Sequence, residues 1–179
     1  VSSAPINNLY FVNNRLLLLC ETPVKQNDIR KNETYLYTLT SDLKDIDTNK
    51  NLYSLYYESD NVVEFKVEKD GFIVRGEDSA EFLEEKLKIL GLTDREAEEF
   101  IIYWLPKLEA NKYNYIRFAT REEIDANMPL TIKPEPDTTI RVLMEYKGLE
   151  NSIKVEEQSL ETPERKGFVA VEWGGTEIK

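Results

Sequence analysis

Residues 76–106, GEDSAEFLEEKLKILGLTDREAEEFIIYWLP, constrain the fold more than any other stretch of the chain. Asp78, followed three residues later by Glu81, has the form of a capping box, in which each residue satisfies a backbone N–H of the first helical turn. Leu83, Leu87 and Leu90 then recur at helical spacing, with Phe82 and Ile89 beside them, and Gly91 is the natural stop. Thr93 and Glu96 repeat the capping pattern. Ala97, Phe100, Ile101, Trp104, Leu105 and Leu108 trace one apolar stripe behind it. Pro106 lacks an N–H and crowds the preceding turn, so the second helix is expected to end or kink there. Two amphipathic helices on so short a joint predict a helical hairpin with its apolar faces buried on a sheet.

Strand patterns surround this centre. Asn8 to Val12 and Arg15 to Glu21 flank Asn13-Asn14, a pair that tolerates the left-handed conformation of a tight turn. Thr34 to Thr40, Leu52 to Glu58 and Val62 to Val67 follow. Lys69-Asp70-Gly71 reads as a hairpin turn into Phe72 to Arg75. Beyond the helices, Tyr113 to Ala119, Leu130 to Lys133, Thr139 to Lys147 and Phe168 to Trp173 read as strands, with a short helical turn over Thr120 to Asn127. Ser41 to Asn51 reads as a loop. Glu150 to Gly167 is polar and reads as a long surface connection, and Gly174-Gly175 as a terminal turn. The expectation is an α+β fold, mostly antiparallel, with the helical hairpin packed on one face. It forms one domain over 1–179, with a β-rich sub-lobe at 1–76 and the hairpin plus strands at 77–179.

The apolar and charged fractions, 41% and 32%, suit a chain that buries a core without disulfides or metals. There is no histidine and a single cysteine, Cys20. Ser-His-Asp and Cys-His catalysis, His-ligated metals and intrachain disulfides are therefore excluded. A net charge of -11 disfavours a nucleic-acid partner. No stretch approaches the ~20 apolar residues of a membrane span. The run Leu16 to Cys20 is too short, and lacks the leading basic segment and small residue, for a lipoprotein signal, and it reads as a buried strand. Val1 in place of an initiator Met is expected of a processed or partial chain.

Three groups of residues invite chemistry. Asp45, Asp47 and Asn49 have the spacing of the first calcium-loop ligands, but Lys50 stands where that loop needs Gly and Tyr56 where it needs Glu. A solvated loop is the better reading, and it leaves room for a weaker calcium site of different build. Glu81, Glu84, Glu85, Glu96, Glu98 and Glu99 include candidates for a glycosidase carboxylate pair. Their places in helix first turns and on polar faces explain them without catalysis. Glu145 and Glu172, on separate strands, form another such pair that spacing alone does not test. Tyr53, Tyr56, Tyr57, Tyr113 and Tyr115 are the candidate interaction surface, an aromatic platform for a peptide or sugar. No catalytic, cofactor or metal motif appears.

From Leu52 onward several segments in one order resemble a family of uncharacterised bacterial exported proteins. These are Leu52 to Glu58, Gly71 to Asp78, the Phe82 helix, Glu99 to Pro106, Ile140 to Met144 and Gly167 to Gly175. The resemblance spans roughly residues 52–175, about two-thirds of the chain. The front third lacks that family's N-terminal Lys-Pro-Val-Ile-Tyr-Leu-Tyr-Pro segment. The resemblance implies a fold unit and an extracytoplasmic, secreted or cell-surface location, with no activity to carry over. Together these readings give a non-enzymatic interaction or structural protein with a protein or glycan partner, using an edge strand or the 150–167 loop. The alternative is a carboxylate-dependent hydrolase acting on a glycan.

Overall fold

The structure, a computed structural model, describes residues 65–128, 130, 132–133 and 135–179, together with the strands Asn8–Phe11, Leu16–Leu19 and Thr38–Leu39. The calcium-like loop, Cys20, the Leu52 to Glu58 strand and Tyr53, Tyr56 and Tyr57 lie outside the described residues. In chain order the elements are β1 (Asn8–Phe11), β2 (Leu16–Leu19), β3 (Thr38–Leu39), β4 (Asp70–Arg75), α1 (Ser79–Ile89), α2 (Asp94–Glu109), β5 (Tyr113–Phe118), α3 (Arg121–Asn127), β6 (Ile132–Lys133), β7 (Thr138–Leu149), β8 (Glu156–Glu157) and β9 (Val169–Glu177). A 3₁₀ turn, Gly76–Asp78, joins β4 to α1. The chain divides into two compact units, residues 1–63 with 121–136 and residues 64–120 with 137–179.

The first unit holds a sheet of order β3-β2-β1-β6. β1 and β2 pair antiparallel from Asn8↔Leu19 to Phe11↔Leu16, the register a hairpin requires. β6 joins β1 in parallel. On the exposed surface of helix α3, Arg121 and Asp125 form an ion pair one turn apart, at 2.6 Å.

The second unit holds a five-stranded sheet of order β8-β4-β5-β7-β9. The fold is α+β as expected, but both sheets are mixed, which corrects the mostly antiparallel expectation. β5 runs antiparallel to both of its neighbours, β4 and β7, while β8 runs parallel to β4 and β9 parallel to β7. The β7–β9 ladder is the longest, from Thr138↔Val169 to Tyr146↔Glu177. Parallel neighbours need a crossover rather than a tight turn. Residues 150–168 are that crossover, and Glu150 to Gly167, which read as a surface connection, make up all but its last residue. The expected strand before β4 is absent over residues 65–69, which are irregular, so Lys69-Asp70-Gly71 turns no hairpin there.

Alternate strand residues build one core. Phe72 and Val74, Ile116 and Phe118, and Ile140, Val142, Met144 and Tyr146 cluster with Leu83 and Leu87 of α1 and with Ala97, Phe100, Trp104 and Leu108 of α2. Val169, Val171 and Trp173 pack against the same cluster. Neither a helix stop at Pro106 nor a terminal turn at Gly174-Gly175 occurs. Helix α2 runs through Pro106 to Glu109. The hydrogen bond that Pro106 cannot make would have gone to Ile102, which is 75% exposed, so its loss falls on the solvent-facing side of the helix. The Gly174-Gly175 pair lies inside β9 and is no terminal turn. A Cβ on Gly175 would stand 2.9 Å from Cζ2 of Trp104, so glycine there makes room for the indole.

Candidate functional site

The second unit carries an open groove of about 580 Å³ along β4, lined by Ile73, Val74 and Arg75, by Asp78, Glu81, Phe82 and Glu85, and by Tyr113 and Ser152. Asp78, Glu81, Phe82 and Glu85 fall at i, i+3, i+4 and i+7, one stripe of the helical surface. One wall is therefore three carboxylates around a single phenyl ring.

The start of α1 explains why two of these carboxylates are uncommitted. The expected capping box at Asp78 and Glu81 does not form: Asp78 has φ -95° and ψ 0°, and its side chain makes no capping bond. A cap needs an extended backbone at that position. The 3₁₀ turn delivers Asp78 already wound, which removes the geometry. The junction is held instead by Ser79, buried, whose hydroxyl donates to the Arg75 carbonyl at 3.2 Å. Among the described residues neither Asp78 nor Glu81 has an ion-pair or hydrogen-bond partner for its carboxylate. The nearby cations are engaged, Arg75 with Glu77 at 3.3 Å and Lys86 with Glu85 at 2.9 Å. At α2 the capping box does form. Thr93 accepts from the Glu96 N–H and Glu96 accepts from the Thr93 N–H, the latter at 2.8 Å.

Among the described residues, β4 presents an open edge beyond Gly71. The Glu156 N–H donates to Lys69 O at 2.9 Å and the Gln158 N–H to Gly71 O at 3.3 Å, so odd-numbered residues of β4 face outward. On the opposite side Gly76 donates to Lys112 O at 3.3 Å. Strand alternation then turns both backbone groups of Ile73, and the N–H of Arg75, toward the groove. β8 pairs only with Asp70 and Gly71. Among the described residues, these three backbone groups have no ladder partner. Ile73, Arg75 and Ser152 were missed from sequence, because the shortness of β8 leaves no mark in the pattern of β4.

The face of the sheet away from the helices carries buried charge. Arg117 lies 3.5 Å from Glu145 and 3.4 Å from Asp70, and Arg141 bonds Glu172. Glu145 stands opposite Thr176, four residues beyond Glu172, so the two glutamates are offset by roughly 13 Å at ~3.3 Å per residue. A glycosidase pair spans at most ~9.5 Å. Asp78, Glu81 and Glu85 share one wall, whereas that chemistry needs carboxyls on both sides of the scissile bond. Of the other helix glutamates, Glu99 pairs with Arg95 at 3.6 Å, and Glu84 and Glu98 are exposed. Among the described residues no three acidic or cysteine side chains converge to hold a metal ion. None of the helices among them is long and apolar enough to cross a membrane.

The structure separates the candidate tyrosines it describes. Tyr113 lines the groove. Tyr115 is fully buried; its hydroxyl donates to Asp70 O at 2.8 Å and accepts from the Glu68 N–H at 3.1 Å. Burial, first of all, raises its pKa above the ordinary tyrosine value. It has no face for a ligand.

The 150–167 connection is anchored at several points. The Gln158 side chain accepts from the Phe118 N–H at 3.0 Å and donates to its carbonyl at 2.6 Å, as an extra strand residue would. Arg165 donates to Gly91 O at 2.8 Å and to both Glu96 oxygens at 2.9 and 3.0 Å. Gly91 has φ +87°, and the Pro163 ring occupies the space a Cβ there would need. No protein-family model, curated protein or solved structure matches this chain.

Proposed function

We propose that this chain is a non-enzymatic interaction protein of the extracytoplasmic space, and that the outer edge of β4 receives an extended segment of a partner protein as an added strand. The observation that supports this most is that both backbone groups of Ile73 and the N–H of Arg75, which open into the groove, have no ladder partner among the described residues. Strand addition draws affinity from main-chain hydrogen bonds and specificity from the pockets that take alternate side chains. α1 and α2 serve in this reading as a hairpin brace that holds β4 rigid from the core side. The extracytoplasmic location rests on the resemblance carried by residues 52–175.

Selection of peptides from a displayed random library, followed by backbone-amide NMR of the complex, tests the reading. Selected peptides should shift and protect the amides of Ile73 and Arg75 first. Ile73→Pro, which removes an outward N–H and is tolerated on a strand edge, should abolish binding without lowering the melting temperature by more than a few degrees. Peptides that bind elsewhere, or that bind the Ile73→Pro protein equally well, would overturn it.

A further inference from the structure

The structure assigns a chemical class to the occupant of the β4 groove: an extended peptide alternating basic and apolar side chains, the basic ones facing α1. This rests on the strand-addition reading above and specifies its partner. A strand laid beside Ile73 to Arg75 sends alternate side chains to opposite faces of the sheet. Phe72 and Val74 belong to the core shared with the helices, so every second side chain of the added strand would rise on the α1 side. There it meets Asp78, Glu81, Phe82 and Glu85. The intervening side chains would lie on the other face, beside Ile73 and Tyr113. From Asp78 to Glu85 the stripe rises about 10 Å along the helix, the reach of about three extended residues. Two basic side chains flanking one apolar residue fit that length.

Charge argues in the same direction. Asp78 and Glu81 bring two carboxylates that nothing on the described surface neutralises, whereas Arg75 is bound to Glu77. Long basic side chains would also lay their methylene stems along Phe82. The net charge of -11 adds a long-range field that draws a cationic segment in and repels an acidic one.

Three blocked heptapeptides with the same apolar positions test this, alternating valine with lysine, serine or glutamate. Binding is read by calorimetry at low and high salt. The lysine peptide should bind at least about tenfold tighter than the serine peptide at low salt, with the preference shrinking as salt rises. Asp78→Asn combined with Glu81→Gln should erase that preference, so that the lysine and serine peptides bind the variant equally. Equal affinity for the lysine and serine peptides would overturn the assignment. So would spermine binding as tightly as the lysine peptide, because charge alone would then suffice. If library-selected peptides of another pattern engage the Ile73 and Arg75 amides, the assignment fails and the strand-addition reading stands. If no peptide engages those amides, both fail.

Discussion

Arg165 grips Glu96 with two parallel hydrogen bonds, Nη1 to Oε2 at 2.9 Å and Nη2 to Oε1 at 3.0 Å, across 69 residues of sequence. The same carboxylate completes the capping box of α2. One side chain therefore starts a helix and fastens the crossover that parallel β7–β9 pairing demands.

Glu96 should give the fold an acid-sensitive joint. Burial alone would raise its pKa. The Arg165 hydrogen bonds, those from Thr93 and the nearby guanidinium charge outweigh burial and hold it below the ordinary 4.5. The unfolded chain thus binds this proton more readily than the folded one. The stabilisation is complete above about 4.5 and is lost as the pH falls through the depressed folded value. Glu96→Gln should cost about 1–2 kcal/mol near neutrality. It should also flatten the fall of melting temperature with acid, as thermal melts across pH 3–7 would record. Arg165→Lys, which loses the planar fork, should give an intermediate effect.

Gly175→Ala should destabilise the protein by about 1–3 kcal/mol through overpacking. The new methyl would lie 2.9 Å from both the Met144 carbonyl and the Trp104 ring. Denaturant melts give the cost, and near-ultraviolet circular dichroism reports the displaced indole. Trp104→Phe in the same protein should return part of the loss, since the two changes share one space.

Asn114→Ala should cost about 2–3 kcal/mol, because it strands buried polar groups. The buried Asn114 amide donates to Leu108 O at 2.9 Å and accepts from Asn111 Nδ2 at 2.8 Å. Its Nδ2 also lies 3.5 Å from the Ser79 hydroxyl, so it links the end of α2 to the start of α1. Hydrogen exchange should show the first turn of α1 and the last of α2 losing protection together, while β7 and β9 keep theirs. A uniform loss would contradict this linking role.

Tyr146 should titrate late. Burial, followed by the charges of Glu177 and Tyr103, pushes its pKa up to about 12 from the ordinary 10.0. The folded protein holds this proton more tightly than the unfolded chain. Its contribution is therefore full below about 10 and is lost as the pH rises toward 12. Ultraviolet tyrosinate titration of Tyr146→Phe should lack a late-ionising component present in the parent.

The helices were legible because their signal is local: Thr93, Glu96 and the Phe100–Trp104 stripe lie within a few turns of one another. Strands β4, β5 and β7 were legible for the same reason, through alternation. Parallel pairing was not, since nothing in Val169 to Glu177 records that its neighbour is β7, or that Arg165 must reach Glu96 to close the crossover. The candidate site was half legible. Asp78 and Glu81 stood out as acids, but their pattern pointed to capping, and only the 3₁₀ turn at Gly76–Asp78 releases them. The open edge at Ile73 depends on where β8 stops: the Gln158 backbone still bonds Gly71 O while its side chain bonds Phe118, and no ladder continues past it among the described residues.

The parallel ladder between β7 and β9 also sets an order of events during synthesis. Phe100 of α2 meets Trp173 edge-on at 5.5 Å, and Trp104 closes over Gly175. Until residues 169–177 have left the ribosome, that flank of the helix has no sheet to cover it. The nascent chain must hold an aromatic surface open until that distant segment is made, and such contacts of high sequence separation form slowly. This interval is when the protein is most open to aggregation or to capture by a chaperone.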